Sequence, residues 1–272
     1  MCLRFPDASL LVAICLCALI EIASARDLRV CSDPDNLPFS NQKQQGFENH
    51  LAELVARELN ARLEYVWQRM GRGFVREYLN TGKCDLLIGI PRNFKPVMTT
   101  TPYYRSSYVF VTRRDHHIQP ASLNDPALRH LKIGVQVLDE DYAPPASALA
   151  RRGLQNEVVG FESTGEQADG IIRAVADRQV DTAIVWGPLA GYFAQNFGNL
   201  LKLRPVKPAV DAPALPFTYA ISMGVRKGNF QLRDEIEGVL GRRRSEIWQI
   251  LDRYDVPQLD LASMSKVETD VE

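Results

Sequence analysis

The sequence predicts an α/β protein with two lobes, each built on a parallel-rich sheet, and a hinge of two chain segments between them. Short apolar runs alternate with amphipathic stretches, which is the pattern of strands and helices in an open α/β sheet. The alternation begins twice, and extended segments near residues 110 and 220 enclose the second round. At 272 residues, the chain is long enough for two such units.

The first unit is predicted as strand, helix, strand, helix and strand. In residues 47–59 the apolar side chains at 47, 51, 54, 55 and 59 share one face of a helix, because they follow its period of about 3.6 residues. The flanking apolar runs have the length of strands. The predicted strands span residues 28–31, 63–67 and 85–90, and the predicted helices span residues 47–59 and 74–79.

The second unit follows a predicted strand at residues 108–112. Its predicted strands span 132–137, 157–161 and 181–186, and its predicted helices span 146–152, 170–176 and 189–197. Residues 204–216 hold four prolines in thirteen residues, so they are predicted to form a connection rather than a strand or helix. A strand at 217–225 and one or two helices at 232–254 close the chain.

This arrangement resembles the hinge architecture of type II-like periplasmic binding proteins, in which the chain crosses between two α/β lobes. Residues 26–112 and 218–260 are predicted to form lobe 1, and residues 113–217 to form lobe 2. Residues 1–25 are predicted as a signal peptide and residues 261–272 as a C-terminal tail. Because open α/β sheets bind ligands outside the carboxyl ends of their strands, the cleft between the lobes is the predicted site.

The N-terminus predicts export to the periplasm. Arg4 precedes an apolar run over residues 8–20, and the small residues 23–25 form the site that a signal peptidase cuts. The run is too short to span a bilayer comfortably, which favours a cleaved signal over an anchor. Cys15 and Cys17 leave a lipoprotein as the alternative, although the residues before them lack the small side chains that lipidation requires. No later apolar segment is predicted to span a membrane.

Composition and charge argue against several classes of function. The chain has a formal net charge of −1, and removal of Arg4, Asp7 and Glu21 with the signal leaves 31 basic and 31 acidic side chains. A neutral protein gives no reason to expect nucleic acid or an anionic membrane as a partner. The histidines show no ligand spacing with the cysteines, and no nucleophile is placed with a base, so no catalytic centre is predicted.

Short motifs that could hold an ion are incomplete. A calcium loop beginning at Asp33 would need glycine at its sixth position and glutamate at its twelfth, where the chain has Pro38 and Gln44. The carboxylates at 139–141 are predicted to form a solvated loop. Residues 71–73, Gly-Arg-Gly, lack the third glycine of a phosphate loop, so that signal is weak. No metal site is therefore predicted.

The mature chain keeps two cysteines, Cys31 and Cys84. An even pair in an oxidising compartment predicts one disulfide, which would close a loop of about fifty residues. The alternative is a pair of buried thiols that pack as small apolar side chains. If their strands are parallel neighbours, one cysteine lies late and the other early, which could leave their Cα atoms more than about 7 Å apart.

Several strings in the sequence resemble the polar amino-acid-binding family of solute receptors. They are 30–39 (VCSDPDNLPF), 46–48 (GFE), 82–85 (GKCD), 101–104 (TPYY), 134–136 (GVQ) and 181–185 (DTAIV). They cover nearly the whole mature chain in the order that the family has them. The resemblance therefore implies that family's two-lobed fold.

The residues that hold an amino acid in that family have no match here. Where the family has an acidic residue for the ligand's ammonium group, this chain has Trp186, and where it has an aromatic that packs on the ligand, this chain has Asn36. The loop 89–96 is shorter than the family's loop for the α-carboxylate, and its Arg92 is out of step. Because unpaired buried charges are costly, the resemblance argues against a zwitterionic ligand.

Longer strings resemble a narrower group, the quinoprotein-dehydrogenase-associated binding proteins, the J component encoded beside methanol dehydrogenase. They are 31–40 (CSDPDNLPFS), 101–106 (TPYYRS), 150–153 (ARRG) and 185–193 (VWGPLAGYF). This resemblance implies a non-enzymatic accessory that acts in maturation or activation of a PQQ-dependent alcohol or methanol dehydrogenase. The PQQ belongs to that enzyme, so this chain is expected to bind no cofactor, and the enzyme's cytochrome c is a further candidate partner.

Ten residues are predicted to line the cleft and to bind a ligand or a partner there. They are Asp33, Asn36, Phe39, Arg72, Arg92, Tyr103, Arg105, Gln136, Asp139 and Trp186. Trp186 ends a strand, so its ring is expected to close on an apolar or planar group, with lobe packing as the alternative. The arginines could hold an anion bidentately or be ordinary surface residues. The rival function is that of a receptor that feeds an ABC permease with a small ligand other than an amino acid.

Overall fold

A computed structural model of the protein describes residues 26–138 and 141–261, except for the side chains of residues 138–142. The predicted signal peptide and residues 262–272 of the predicted tail lie outside the described residues. The strands are β1 (Arg26–Ser32), β2 (Asp35–Asn36), β3 (Ser40–Asn41), β4 (Ala61–Trp67), β5 (Leu86–Pro91), β6 (Met98–Thr99), β7 (Tyr104–Arg113), β8 (Ile133–Leu138), β9 (Asp141–Tyr142), β10 (Val158–Glu162), β11 (Thr182–Trp186), β12 (Leu201–Pro205), β13 (Val210–Asp211), β14 (Leu215–Pro216) and β15 (Thr218–Val225). The α-helices are α1 (Phe47–Glu58), α2 (Pro144–Ala150), α3 (Gly170–Ala176), α4 (Gly187–Ala194), α5 (Phe230–Arg242) and α6 (Arg244–Arg253).

One sheet runs through both lobes, with its strands in the order β10, β8, β11, β7, β15, β5, β1 and β4. At one end β4, β1 and β5 are parallel neighbours, and at the other end β10, β8 and β11 are parallel neighbours. Between these two groups lie β7 and β15, which pair antiparallel with each other and with the strands beside them. The predicted fold class, two α/β lobes with parallel-rich sheets, is therefore confirmed.

β7 and β15 are the two segments that join the lobes. Residues 104–107 of β7 pair with β15, whereas residues 108–112 pair with β11 and residues 109–113 with β12. The chain therefore crosses between the lobes near residue 107, earlier than the boundary predicted at residue 112. β15 then returns the chain to lobe 1, since it pairs with β5 towards its carboxyl end. Side chains of both strands consequently lie where the two lobes meet.

The core of lobe 1 lies mainly on one face of its sheet. Val30 of β1 packs with Leu51 of α1, Ile236 of α5 and Leu251 of α6 in a buried cluster. The next residue, Cys31, belongs to a smaller cluster on the opposite face, because successive side chains of a strand point to opposite faces. In lobe 2, by contrast, two buried clusters of similar size cover the sheet.

Cys31 and Cys84 form the predicted disulfide. Their Cα atoms are 5.5 Å apart, within the range that the bond requires, and both side chains are buried. Cys84 lies in the turn before β5, so its position is not set by the strand register that suggested a larger separation. Asp85 anchors this turn, because its carboxylate accepts hydrogen bonds from the Arg29 guanidinium at 2.8 and 2.9 Å.

Two predicted segments differ from the structure. Residues 74–79, predicted as a helix, form a π-helical turn over Val75–Leu79, and a run this short has too few residues for its spacing to separate helix types. Residues 204–216, predicted as a connection, begin within β12 and contain β13 and β14, which pair as a hairpin. Pro205 does not prevent β12, because in the described chain this strand pairs with β7 alone and ends at Pro205, where a missing N–H is tolerated.

Candidate functional site

A cavity of about 470 Å³ lies between the two lobes. Strand ends from both lobes position its lining residues: Asp33 follows β1, Pro91 ends β5, Ser163 follows β10 and Trp186 ends β11. Parallel strands of the two lobes therefore point their carboxyl ends at one space, which is where open α/β sheets bind their ligands. The cavity occupies the cleft that the sequence predicts.

Five of the ten predicted residues line this cavity, namely Asp33, Asn36, Phe39, Gln136 and Trp186. Asp139 lies outside the described residues, so its place stays a prediction. The other four, Arg72, Arg92, Tyr103 and Arg105, are not among the lining residues. The structure thus places half of the predicted set around one cavity and four of the set outside its lining.

The hinge explains the positions of Tyr103 and Arg105. Tyr103 and Tyr104 are both buried in the core of lobe 1, at 5% and 2% exposure, and only Tyr104 of the two also lines the cavity. Arg105 faces the C-terminal segment, where its Nη1 donates to the Asp260 carbonyl oxygen at 3.4 Å. Tyr104 therefore reaches the cavity from the edge of the lobe 1 core, whereas Tyr103 and Arg105 do not line it.

Charged groups at the cleft are few. Asp33 and Arg69 are the charged side chains that line the cavity in the described part of the chain. Arg72 borders a separate groove on lobe 1, because the loop turns away from the cleft after Arg69 and Met70. Arg92 follows the lining residue of β5 and is exposed outside the cavity. The cleft therefore has no arginine from the loop that holds an α-carboxylate in amino-acid receptors.

Aromatic side chains from the hinge and from β11 form one wall of the cavity. The ring centroid of Trp186 lies 5.4 Å from that of Tyr108 and 5.7 Å from that of Tyr219. Burial raises the pKa of Tyr108 and of Tyr219, so both hydroxyls stay neutral. The Trp186 backbone N–H donates to Gln136 Oε1 at 2.6 Å, which fixes the end of β11 against β8. This wall suits an apolar or planar group.

A buried carboxyl group lies beside the cavity. Glu48, the second residue of α1, is 9% exposed, and burial, assisted by the charge of Asp33, raises the pKa of its carboxyl to about 8. The group is therefore mostly protonated at neutral pH. Gly89 lies between this carboxyl and the cavity with a φ of 79°, and a Cβ atom there would lie 1.9 Å from Glu48 Oε1. Position 89 consequently requires glycine.

Asp33 joins two loops at the mouth of the cavity. Its Oδ1 accepts a hydrogen bond from the Asp35 N–H at 3.0 Å, and its Oδ2 accepts one from the Met70 N–H at 3.1 Å. Asp33 as a whole residue is 7% exposed. Asp33 therefore holds the loop after β1 against the loop after β4, and both loops contribute lining residues.

The residues at the site that the sequence analysis does not predict include Tyr104, Tyr108, Tyr219 and Glu48. The spacing of Tyr104 and Tyr108 carries a usable signal, because residues four apart on a strand share a face. Glu48 gives no such signal, since an acidic residue in the first turn of a helix is ordinarily an exposed partner of the helix dipole.

A cleft between two α/β lobes, hinged by two strands and lined from both sides, defines a binding protein of the solute-receptor class. The chain belongs to the bacterial extracellular solute-binding proteins, family 3, which it matches over residues 28–254. That match includes both lobes and the hinge between them.

Relatives of one type within this family are similar to the chain along most of its length. Protein MoxJ of Paracoccus denitrificans is 29% identical over 254 residues, which cover 88% of this chain and 91% of that protein. The periplasmic binding protein XoxJ from Methylobacterium extorquens AM1 is 35% identical in sequence. Its crystal structure matches 86% of this chain and 99% of its own length, with a TM-score of 0.68. MxaJ from Methlophaga aminisulfidivorans MPT is 27% identical. Its crystal structure matches 85% of this chain and 100% of its own length, with a TM-score of 0.76. The predicted resemblance to this group is confirmed.

Proposed function

We propose that this protein is a periplasmic accessory factor of a PQQ-dependent methanol or alcohol dehydrogenase and that it docks on that enzyme through its cleft. The similarity to MoxJ, MxaJ and XoxJ supports the role of an accessory. The observation that carries the docking proposal is the aromatic wall around Trp186, which lines the cleft between the lobes.

The chemistry of the cleft favours a protein side chain over a polar solute. Trp186, Tyr108 and Tyr219 present ring surface, and tryptophan and tyrosine are enriched among the residues that dominate binding energy in protein interfaces. A zwitterionic amino acid would need both of its charges matched in the closed cleft. Trp186 and Asn36 occupy the positions of two residues that contact such a ligand in the related receptors. An apolar or aromatic anchor from the partner therefore fits better.

The proposal also assigns a compartment and a mode of action. Residues 1–25 would direct the chain to the periplasm and be removed there. In the described ranges, no helix is long and apolar enough to cross a membrane. The protein would act by binding alone and carry no cofactor, while PQQ stays with the dehydrogenase. Docking would serve the maturation or activation of that enzyme, and its cytochrome c is a further candidate partner.

One observation favours a second function, that of a receptor for an ABC permease. The cavity of about 470 Å³ falls within the range of roughly 300–1,000 Å³ that small-molecule sites occupy. Its ligand would be apolar or planar, because aromatic rings form a wall of the cavity. Among the lining residues in the described chain, two are charged, Asp33 and Arg69. A small molecule that co-purifies with the protein and occupies the cleft would support this receptor function over docking.

A pull-down from periplasmic extract tests the docking proposal. The tagged mature protein is mixed with extract from methanol-grown cells, and the captured proteins are identified by mass spectrometry. Wild type and Trp248→Ala should capture the PQQ-dependent dehydrogenase, whereas Trp186→Ala should lose it. Trp248 is a matched control, because it is 47% exposed on α6 and does not line the cleft. If wild type captures no such dehydrogenase, the docking proposal is wrong.

A further inference from the structure

A second cavity, of about 640 Å³, lies on lobe 1 outside the cleft. Its floor is apolar, since Phe74 and Ile90 are each 7% exposed and Leu87 is 1% exposed, and all three belong to the cluster around the disulfide. Leu87 and its neighbour Leu86 point to opposite faces of β5. The floor is therefore the face of the sheet that α1 does not cover.

This face of the sheet has a thin cover. Both faces of a parallel sheet are normally covered by helices, but here the π-helical turn Val75–Leu79 and the loop of residues 92–97 provide the cover. Residues 71–73, Gly-Arg-Gly, border the cavity. Met70 and Phe94, each 37% exposed, flank the opening and are two of four large apolar side chains exposed in the described chain. Apolar surface exposed at a cavity is typical of a binding site.

The rim of this cavity is positively charged. Arg72, Arg76 and Lys227 line it, and none of the residues that line it is acidic. Arg76 is partly neutralised, because its Nη2 lies 3.2 Å from Glu77 Oε1. Lys227 is exposed and forms no ion pair with any residue that the structure describes. A negative group at the rim would therefore meet an unneutralised ammonium group.

We propose that this cavity is a second binding site, for an amphipathic carboxylate with an alkyl or aromatic body. The body would pack on Phe74, Leu87 and Ile90, and the carboxylate would face Lys227 at the rim. The volume is that of a small-molecule site, roughly 300–1,000 Å³. The site is distinct from the proposed docking surface, because Met70 is the one lining residue that it shares with the cleft.

Isothermal titration calorimetry with dodecanoate tests the proposal. Wild type should bind dodecanoate at least about ten-fold more tightly than dodecyltrimethylammonium, which has the same alkyl chain and the opposite charge. Lys227→Glu and Phe94→Asp should each weaken dodecanoate binding about ten-fold, whereas Lys43→Glu should leave it unchanged. Lys43 is the matched control, because it is exposed on lobe 1 and lines neither cavity. All three positions are exposed, so unchanged melting temperatures should verify that the variants fold.

Four results would overturn the proposal. One is the absence of any heat of binding for dodecanoate below its micelle concentration, and another is equally tight binding of the cationic detergent. A third is weakening of dodecanoate binding by Lys43→Glu to the same extent as by Lys227→Glu. Loss of binding in Trp186→Ala with unchanged binding in Lys227→Glu would place the ligand in the cleft instead. None of these results depends on whether a dehydrogenase docks, so this proposal and the proposed function fail separately.

Discussion

Replacement of Glu48 by glutamine is expected to change how the stability of the protein depends on pH. Burial and the charge of Asp33 raise the pKa of the Glu48 carboxyl to about 8 in the folded protein, from an ordinary value of 4.5. The folded state therefore binds this proton more tightly than the unfolded state does. The resulting stabilisation is complete below pH 4.5 and is lost as the pH rises through about 8.

The magnitude follows from the difference between the two pKa values. A difference of one bound proton changes the free energy of unfolding by about 1.4 kcal/mol per pH unit. Between pH 6 and pH 8 the unfolded carboxyl is ionised while the folded one is still largely protonated, so wild type should lose about 2 kcal/mol from this group. Glutamine has a similar shape and is neutral at both pH values. Glu48→Gln should therefore lose nothing from this source.

Urea unfolding at pH 6 and at pH 8, followed by circular dichroism, measures this effect. The difference between wild type and Glu48→Gln cancels the contribution of other titrating groups. Glu166→Gln, at an exposed position in lobe 2, controls for the removal of one carboxylate and should follow wild type. The reasoning is refuted if the difference in unfolding free energy between wild type and Glu48→Gln changes by less than about 0.5 kcal/mol from pH 6 to pH 8. In that case the Glu48 carboxyl would already be ionised in the folded protein at pH 6.

The disulfide and the cleft each carry a further prediction. Cys31→Ala/Cys84→Ala should lower the free energy of unfolding by about 2–4 kcal/mol, because the bond closes a long loop, with a sequence separation of 53. Alkylation that finds two free thiols in the denatured, oxidised protein would contradict the bond. No free amino acid should bind with a micromolar Kd, about −8 kcal/mol, because Trp186 and Asn36 replace two of the groups that hold one. Calorimetry with all twenty amino acids checks this, and a single micromolar ligand would be enough to reject it.

Much of the fold could be predicted because helix and strand patterns are local. The predicted helix at 47–59 is α1, and the predicted helix at 170–176 is α3 with the same bounds. β12 could not be predicted in the same way, because it exists through its antiparallel pairing with β7, a contact between distant parts of the chain. The prolines that follow it are typical of a loop, and nothing local reveals the neighbouring strand.

The position of a site residue could be predicted where the end of a strand fixes its side chain. It could not be predicted where packing between distant segments of the chain fixes it. Trp186 ends β11, so its position at the cleft follows from the topology. Tyr103 and Tyr104 are adjacent in the sequence and both are buried, so no local pattern shows which of the two also lines the cavity. The burial of Glu48 depends on Gly89, which is distant in sequence, and no local pattern indicates that contact.

The affinity of Trp186→Ala for the purified PQQ-dependent dehydrogenase tests the docking claim most directly. Truncation of a central aromatic anchor costs about 2 kcal/mol or more, so Kd should rise at least about thirty-fold. The melting temperature should stay close to that of wild type, and Trp248→Ala should bind as wild type does. Affinity equal to that of wild type, or a sharp fall in the melting temperature of Trp186→Ala, would contradict docking through the cleft and make Trp186 a packing residue.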